Sequence, residues 1–150
     1  MNAKTWFVLG ACLGAIAVVT GLIHAHGLEK YLVAMNVSGA ELHKRMRQWE
    51  TGARYEMYCA LALFAAAWLA SRTNTALVHA AGLLLFLGGL IFSVSLYALA
   101  LSGVKPLGMI VPIGGLLMLL GWLSLAGAGW GLEDAVAPLL GESQPKDGLH

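Results

Sequence analysis

The sequence predicts an all-α, polytopic membrane protein: a bundle of four transmembrane helices with an amphipathic helix between the first and second. Three observations predict it. Of 150 residues, 59% are hydrophobic and 11% charged, against roughly 25% charged in soluble domains, and the mean hydropathy is +0.75. The charges cluster in short segments between long apolar runs. No run alternates polar and apolar residues over strand lengths, and lipid-exposed backbone must satisfy its own hydrogen bonds, which leaves helices. This composition excludes a disordered chain and a typical soluble enzyme. A net charge of +1 excludes nucleic-acid binding through charge.

The first span is placed at about 6–26, from the apolar run Trp6–Ile23. About 20 apolar residues at 1.5 Å each cross a hydrocarbon core of about 30 Å. The run is longer than a signal-peptide core and carries Gly10, Gly14 and Gly21, so it is expected to be a retained span. Gly10 and Gly14 have the small-xxx-small spacing of close helix packing. Cys12 reads as a small hydrophobe buried in this helix.

The connection 29–54 is the one sizeable polar segment before the tail. Ser38 followed by Glu41 has capping-box spacing and predicts a helix from Gly39. Leu42, Met46, Trp49, Ala53, Met57 and Ala60 fall on one face, with Lys44, Arg47, Thr51 and Arg54 broadly opposite. Glu41/Arg45 and Glu50/Arg54 are acid-to-base pairs four apart. The favoured reading is a surface amphipathic helix at about 39–52 that bends near Gly52 and enters the membrane as span two, about 54–71. The bend gives the apolar stripe somewhere to bury itself. The alternative is one straight helix from Gly39 to Ala70, about 48 Å long. The apolar part of span two is short, so Tyr55 and Glu56 must sit at the interface. Spans three and four are placed at about 76–101 and 107–130. Pro112 predicts a kink in the fourth, because it removes a backbone donor. Gly and Ala recur through the spans and favour close backbone approach. Residues 131–150 form a polar tail after the 1–130 membrane domain.

Four spans put Lys4, Arg72 and Lys146 on one side and Lys30, Lys44, Arg45, Arg47, Arg54 and Lys105 on the other. The positive-inside bias then places the long connection in the cytoplasm and both termini on the non-cytoplasmic side. Trp6, Trp68 and Trp130 fit an aromatic belt on the terminal side, and Trp122 is expected to pack between helices.

This threading gathers polar groups at the end holding the long connection. His24, His26 and Glu29 close the first helix. Tyr55, Glu56, Tyr58 and Cys59 open the second. Ser93, Ser95 and Tyr97 come late in the third. A carboxylate in hydrocarbon is costly, so Glu56 needs a partner, with His26, Tyr97 and Lys105 in reach. The candidate cluster is therefore His24, His26, Glu56, Tyr58, Cys59 and Tyr97. A hydrogen-bond network that locks the bundle is the first reading of it, ahead of a small-ligand or proton-handling pocket. No metal site is assigned, since His24 and His26 are two apart and no HExxH or CxxC exists. No catalytic residue or cofactor is assigned either. His79 is expected to make an interfacial hydrogen bond. Cys12 and Cys59 lie at different depths, which argues against a disulfide.

Several segments carry a resemblance: Ala25-His26-Gly27-Leu28, the run Ala53–Leu63, Ser95–Ala100, Pro112-Ile113-Gly114-Gly115, and Gly121-Trp122. In this order, from about Leu9 to about Ala126, the chain resembles a widespread family of small bacterial inner-membrane proteins of unknown function, with a small transmembrane relative in animals. The resemblance implies several membrane helices and a bacterial inner-membrane location, and it carries no established reaction. Family members usually read Arg-Tyr-Gln-Met-Tyr-His in the second helix; here Glu56 replaces the Gln and Cys59 the His. The first helix usually closes with Gly-Ala-Phe-Gly-Ala-His-Gly; here Leu22, Ile23 and His24 occupy its middle. Transfer of the missing His to His24 predicts that His24 lies near Cys59. The first functional reading is a non-enzymatic scaffold or an accessory or oligomeric component. Its partners would be membrane lipids and either further copies or another membrane protein. The alternatives are a transporter or channel for a small solute, ion or proton, and a membrane-embedded enzyme or cofactor binder using the polar cluster.

Overall fold

The computed structural model describes residues 2–73 and 75–131; apart from Gly131, the expected tail lies outside the described residues. All elements among them are helical. α1 spans Ala3–Ile23, a π-helical turn His24–Leu28 continues it, and α2 spans Glu29–Ala34. α3 spans Gly39–Arg72 and α4 Ala76–Ser102; a 3-10 turn, Lys105–Met109, leads to α5, Val111–Trp130. Among the described residues, three helices are long and apolar enough to cross a membrane: Ala3–Ala34, Ala76–Ser102 and Lys105–Trp130. The helices pack in series, α1 on α3, α3 on α4 and α4 on α5.

Two expectations about the connection are overturned together. The first helical stretch does not stop near 26, and no helix break falls at Gly52. The first helix runs on to Ala34, and α3 is one helix of 34 residues. The extension supplies what the bend was meant to supply. Leu28 and Leu32 bury against Trp49, with Leu42 and Met46 packed alongside, so the apolar stripe of residues 39–52 is covered by protein and needs no membrane surface. The reversal between the two helices runs through Asn36, whose φ of 60° is a left-handed conformation that Asn tolerates. α3 starts at Gly39 as predicted, but the Ser38 side chain makes no cap hydrogen bond. Glu41 instead accepts from Arg45 Nε at 2.9 Å, and the Glu50–Arg54 pair also forms.

Trp6, Leu13, Leu63, Leu85 and Met118 belong to a larger core that runs the length of the apolar helices. Glycines set its spacing. A Cβ on Gly10 would stand 3.0 Å from the Ala60 carbonyl oxygen, and one on Gly114 would stand 2.6 Å from the Phe92 backbone nitrogen. Near the start of α1, Trp6 Nε1 donates to His79 Nδ1 at 3.1 Å and closes α1 onto α4. Pro112 produces no kink, because it falls in the first turn of α5, where no intrahelical donor is needed. Cys12 faces outward rather than into the core, and both cysteines are free. Trp122 is 47% exposed rather than packed between helices: α5 leans on α4 and touches α3 little, which leaves the other side of α5 open.

Candidate functional site

Between the two apolar cores lies a layer of polar side chains. Glu56 is 2% exposed. The Tyr97 hydroxyl donates to Glu56 Oε2 at 2.6 Å and stands 3.1 Å from Thr20 Oγ1. The Thr20 hydroxyl donates to the Ala17 carbonyl at 3.0 Å. Trp49 Nε1 donates to the Thr20 carbonyl at 2.8 Å, and its ring lies 4.6 Å from that of Tyr97. Ser93 Oγ donates to the Gly52 carbonyl at 2.9 Å. One layer therefore ties α1, α3 and α4 together. Among the described residues, every buried side-chain nitrogen or oxygen has a hydrogen-bond partner.

Gly52 has its reason here. A Cβ on it would stand 2.7 Å from Tyr97 Cε1, so the glycine makes room for the ring that reaches Glu56. Of the three partners expected for Glu56, the structure selects Tyr97. Thr20 and Trp49 were not among the candidate residues, although Trp49 stands on the apolar stripe that marked the helix.

The candidate cluster divides into parts. Glu56 and Tyr97 meet at the centre. Tyr58 and Cys59 line a separate lateral cleft of about 430 Å³ with Tyr55, Phe92, Met118 and Trp122. This cleft opens between α3 and α5, is mostly apolar, and holds the Tyr55 and Phe92 rings 4.9 Å apart. His24 lies elsewhere, in a polar groove with Glu29, His43, Arg47 and Glu50. His26 is exposed and lines neither cavity. The expected closeness of His24 to Cys59 is not found. Cys59 faces Gly89, whose Cβ would stand 2.9 Å from its own, while His24 belongs to the α1 side of α3. Among the described residues, no three His, Cys, Asp or Glu side chains come together to hold a metal ion.

Outside the apolar segments, the Arg45 guanidinium beside Glu41 holds that carboxyl below its usual range. Arg45 Nη1 also donates to the Leu101 carbonyl at 3.4 Å, at the end of α4. Gly103, with φ 69°, closes that helix, and a Cβ there would overlap the Arg45 guanidinium. One cation thus links the N-terminal arm of α3 to the C-terminus of α4.

Residues 20–115 match the family described as Protein of unknown function (DUF423). A UPF0382 membrane protein of Staphylococcus epidermidis is 44% identical over 122 residues, 81% of this chain and 92% of its own length. One of Staphylococcus haemolyticus is 43% identical over 122 residues, 81% and 92% of the two chains. The UPF0382 membrane protein YwdK of Bacillus subtilis is 37% identical over 123 residues, 81% and 93%. No solved structure matches. The relatives are named membrane proteins, and three helices here have the length and apolarity to cross a bilayer. The chain is therefore a helical membrane protein and belongs to the DUF423 family, whose function is unknown.

Proposed function

We propose that the protein is a non-enzymatic, four-span component of the bacterial inner membrane that associates through α5 with a second membrane helix, either of another copy or of a larger assembly. The distribution of polarity carries this reading. Glu56, Thr20, Ser93 and Tyr97 are bonded to one another or to backbone inside the fold. The outer side of α5 presents Ile113, Leu116, Leu119, Leu120, Trp122 and Leu123 beside an aromatic cleft. An apolar face beside a cleft gives a partner helix van der Waals contact and offers a polar solute no hydrogen-bonding path.

The fourth span is the C-terminal part of α3. It falls short of the three apolar helices in hydropathy, but its placement supports insertion. Gly10 of α1 meets Ala60 and Leu63 on one side, and Gly89 of α4 meets Cys59 on the other. A segment held between two membrane helices shares their depth. Six Lys and Arg in the two loops, against three on the terminal side, support a cytoplasmic long connection and non-cytoplasmic termini.

Cross-linking tests the association. Trp122→Cys in a Cys12→Ala/Cys59→Ala background should give a covalent dimer, or an adduct with one other membrane protein, when native membranes are oxidised. Leu83→Cys on α4 should give much less. Monomer alone from Trp122→Cys, together with solute flux through the pure protein in vesicles, would overturn the reading. A C-terminal alkaline phosphatase fusion tests the orientation: high activity is expected, and activity only from a cytoplasmic reporter reverses the map.

A further inference from the structure

The groove at the π-helical turn is used neither by the polar layer nor by the α5 surface. It has a volume of about 280 Å³, and His24, Glu29, His43, Arg47 and Glu50 supply its polar wall. The turn explains why two of them share it. Residues five apart on an α-helix point about 140° away from each other. The wider turn, closed by i→i+5 hydrogen bonds, brings them toward one side. His24 opens this turn and Glu29, five residues on, follows its end, and both line the groove.

The groove lies at a definite level. His24 is 20 residues beyond Lys4 on one continuous helix, so it stands about 30 Å away along the axis, one hydrocarbon thickness. Glu29 and Arg47 lie about 37 Å from Lys4 and Arg72 respectively, which puts both at the height of lipid headgroups. Their charges are unspent. Glu29 and Arg47 belong to none of the side-chain ion pairs among the described residues, whereas Glu50 is joined to Arg54. Below the groove, Gly21 lies three residues before His24 on the same face, and a side chain there would meet nothing within 4 Å. Open apolar surface therefore runs down from the charged pocket.

We propose that this groove binds the headgroup of a zwitterionic aminophospholipid, with one acyl chain lying over Gly21. Arg47 and His43 take the phosphate, and Glu29 takes the ammonium. A guanidinium and a carboxylate on facing helices match a headgroup that carries both signs. The ammonium is a primary one, because a quaternary ammonium is held by the faces of Trp, Tyr or Phe and none of these lines the groove. The site is independent of what α5 contacts, so its test and the α5 cross-linking test fail separately.

Native mass spectrometry of the full chain tests it, with phosphatidylethanolamine, phosphatidylcholine or phosphatidylglycerol of identical acyl chains added to the delipidated protein. Phosphatidylethanolamine should be retained about tenfold better than either competitor, the size of one charge-assisted hydrogen bond. Glu29→Gln and Arg47→Gln should each remove most of that preference. Gly21→Leu should weaken all three lipids, since it fills the acyl path and leaves the headgroup contacts. Soluble phosphoethanolamine should compete poorly; competition equal to that of the lipid would show a headgroup-sized solute site instead and overturn the lipid assignment. Equal retention of the three lipids by the wild-type chain overturns the proposal whatever the variants do. An unchanged preference in folded Glu29→Gln and Arg47→Gln also overturns it.

Discussion

Glu56 takes its character from its neighbours. It is buried, and among the described residues no cation pairs with it; what faces it is the Tyr97 hydroxyl. A glutamine at this position keeps an oxygen that accepts the same bond. Glu56→Gln should therefore keep the fold and change stability by less than about 1 kcal/mol, the net worth of one neutral hydrogen bond. Tyr97→Phe is different, because it removes the donor and leaves a buried carboxyl without it. That loss should cost about 1–3 kcal/mol. Thermal unfolding of the detergent-solubilised variants checks the order: Tyr97→Phe should melt well below Glu56→Gln. The reverse order would mean that Glu56 is held by something other than Tyr97. The pairing was legible in the sequence only as one of three choices. Burial cost showed that Glu56 needs a partner, but only the packing of α4 against α3 decides which residue arrives. Thr20 was not legible at all, since a lone threonine in an apolar helix normally bonds back to its own backbone, as this one also does.

At the scale of the element, glycine determines whether α5 stays on α4. A Cβ on Gly114 would meet Phe92 backbone at 2.6 Å, whereas one on Gly115 would meet only the Phe92 ring at 3.9 Å. Backbone cannot rotate away as a side chain can, so Gly114→Ala must push the helices apart. It should cost about 1–3 kcal/mol, as overpacking does. Gly115→Ala should be neutral or mildly stabilising through helix propensity. Melting temperatures of the pair check this, and equal effects would place the α4–α5 contact elsewhere. Helix identities were legible for the same physical reason that membrane helices are: twenty apolar residues admit few other structures. The connection was misread because its sequence describes an apolar stripe but not what covers the stripe. A bend at Gly52, or a continuation of the first helix past Ile23, would each cover Leu42, Met46 and Trp49, and the continuation through Leu28 and Leu32 is the one adopted. Nothing in His24–Leu28 announces a π turn, since its hydrogen-bond pattern has no residue signature comparable to a cap.

At the scale of the molecule, the N-terminal arm of α3 is fastened to the C-terminal end of α4 by Arg45. Acid should loosen that fastening. The Glu41 carboxyl is held below its usual range in the folded chain, so its contribution is present above the unfolded value, about pH 4.3. It is lost as pH falls through the lower folded value. Melting followed from pH 6 to 3 should show a drop below about pH 4.3 that Glu41→Gln lacks; parallel curves would deny the link. The depth of α3 decides the whole architecture. Leu61 and Ala65 face outward on α3, about 17 and 11 Å from Arg72 along the helix. On the proposed four-span map that exposure is to hydrocarbon. Leu61→Cys and Ala65→Cys, in a Cys12→Ala/Cys59→Ala background, should resist a membrane-impermeant maleimide in intact membranes and react once denatured. His43→Cys and Arg72→Cys should react from opposite sides. Labelling of Leu61→Cys from water, with His43→Cys and Arg72→Cys open to the same side, would take α3 out of the membrane. It would also leave an odd number of spans, which moves the C-terminus across the bilayer.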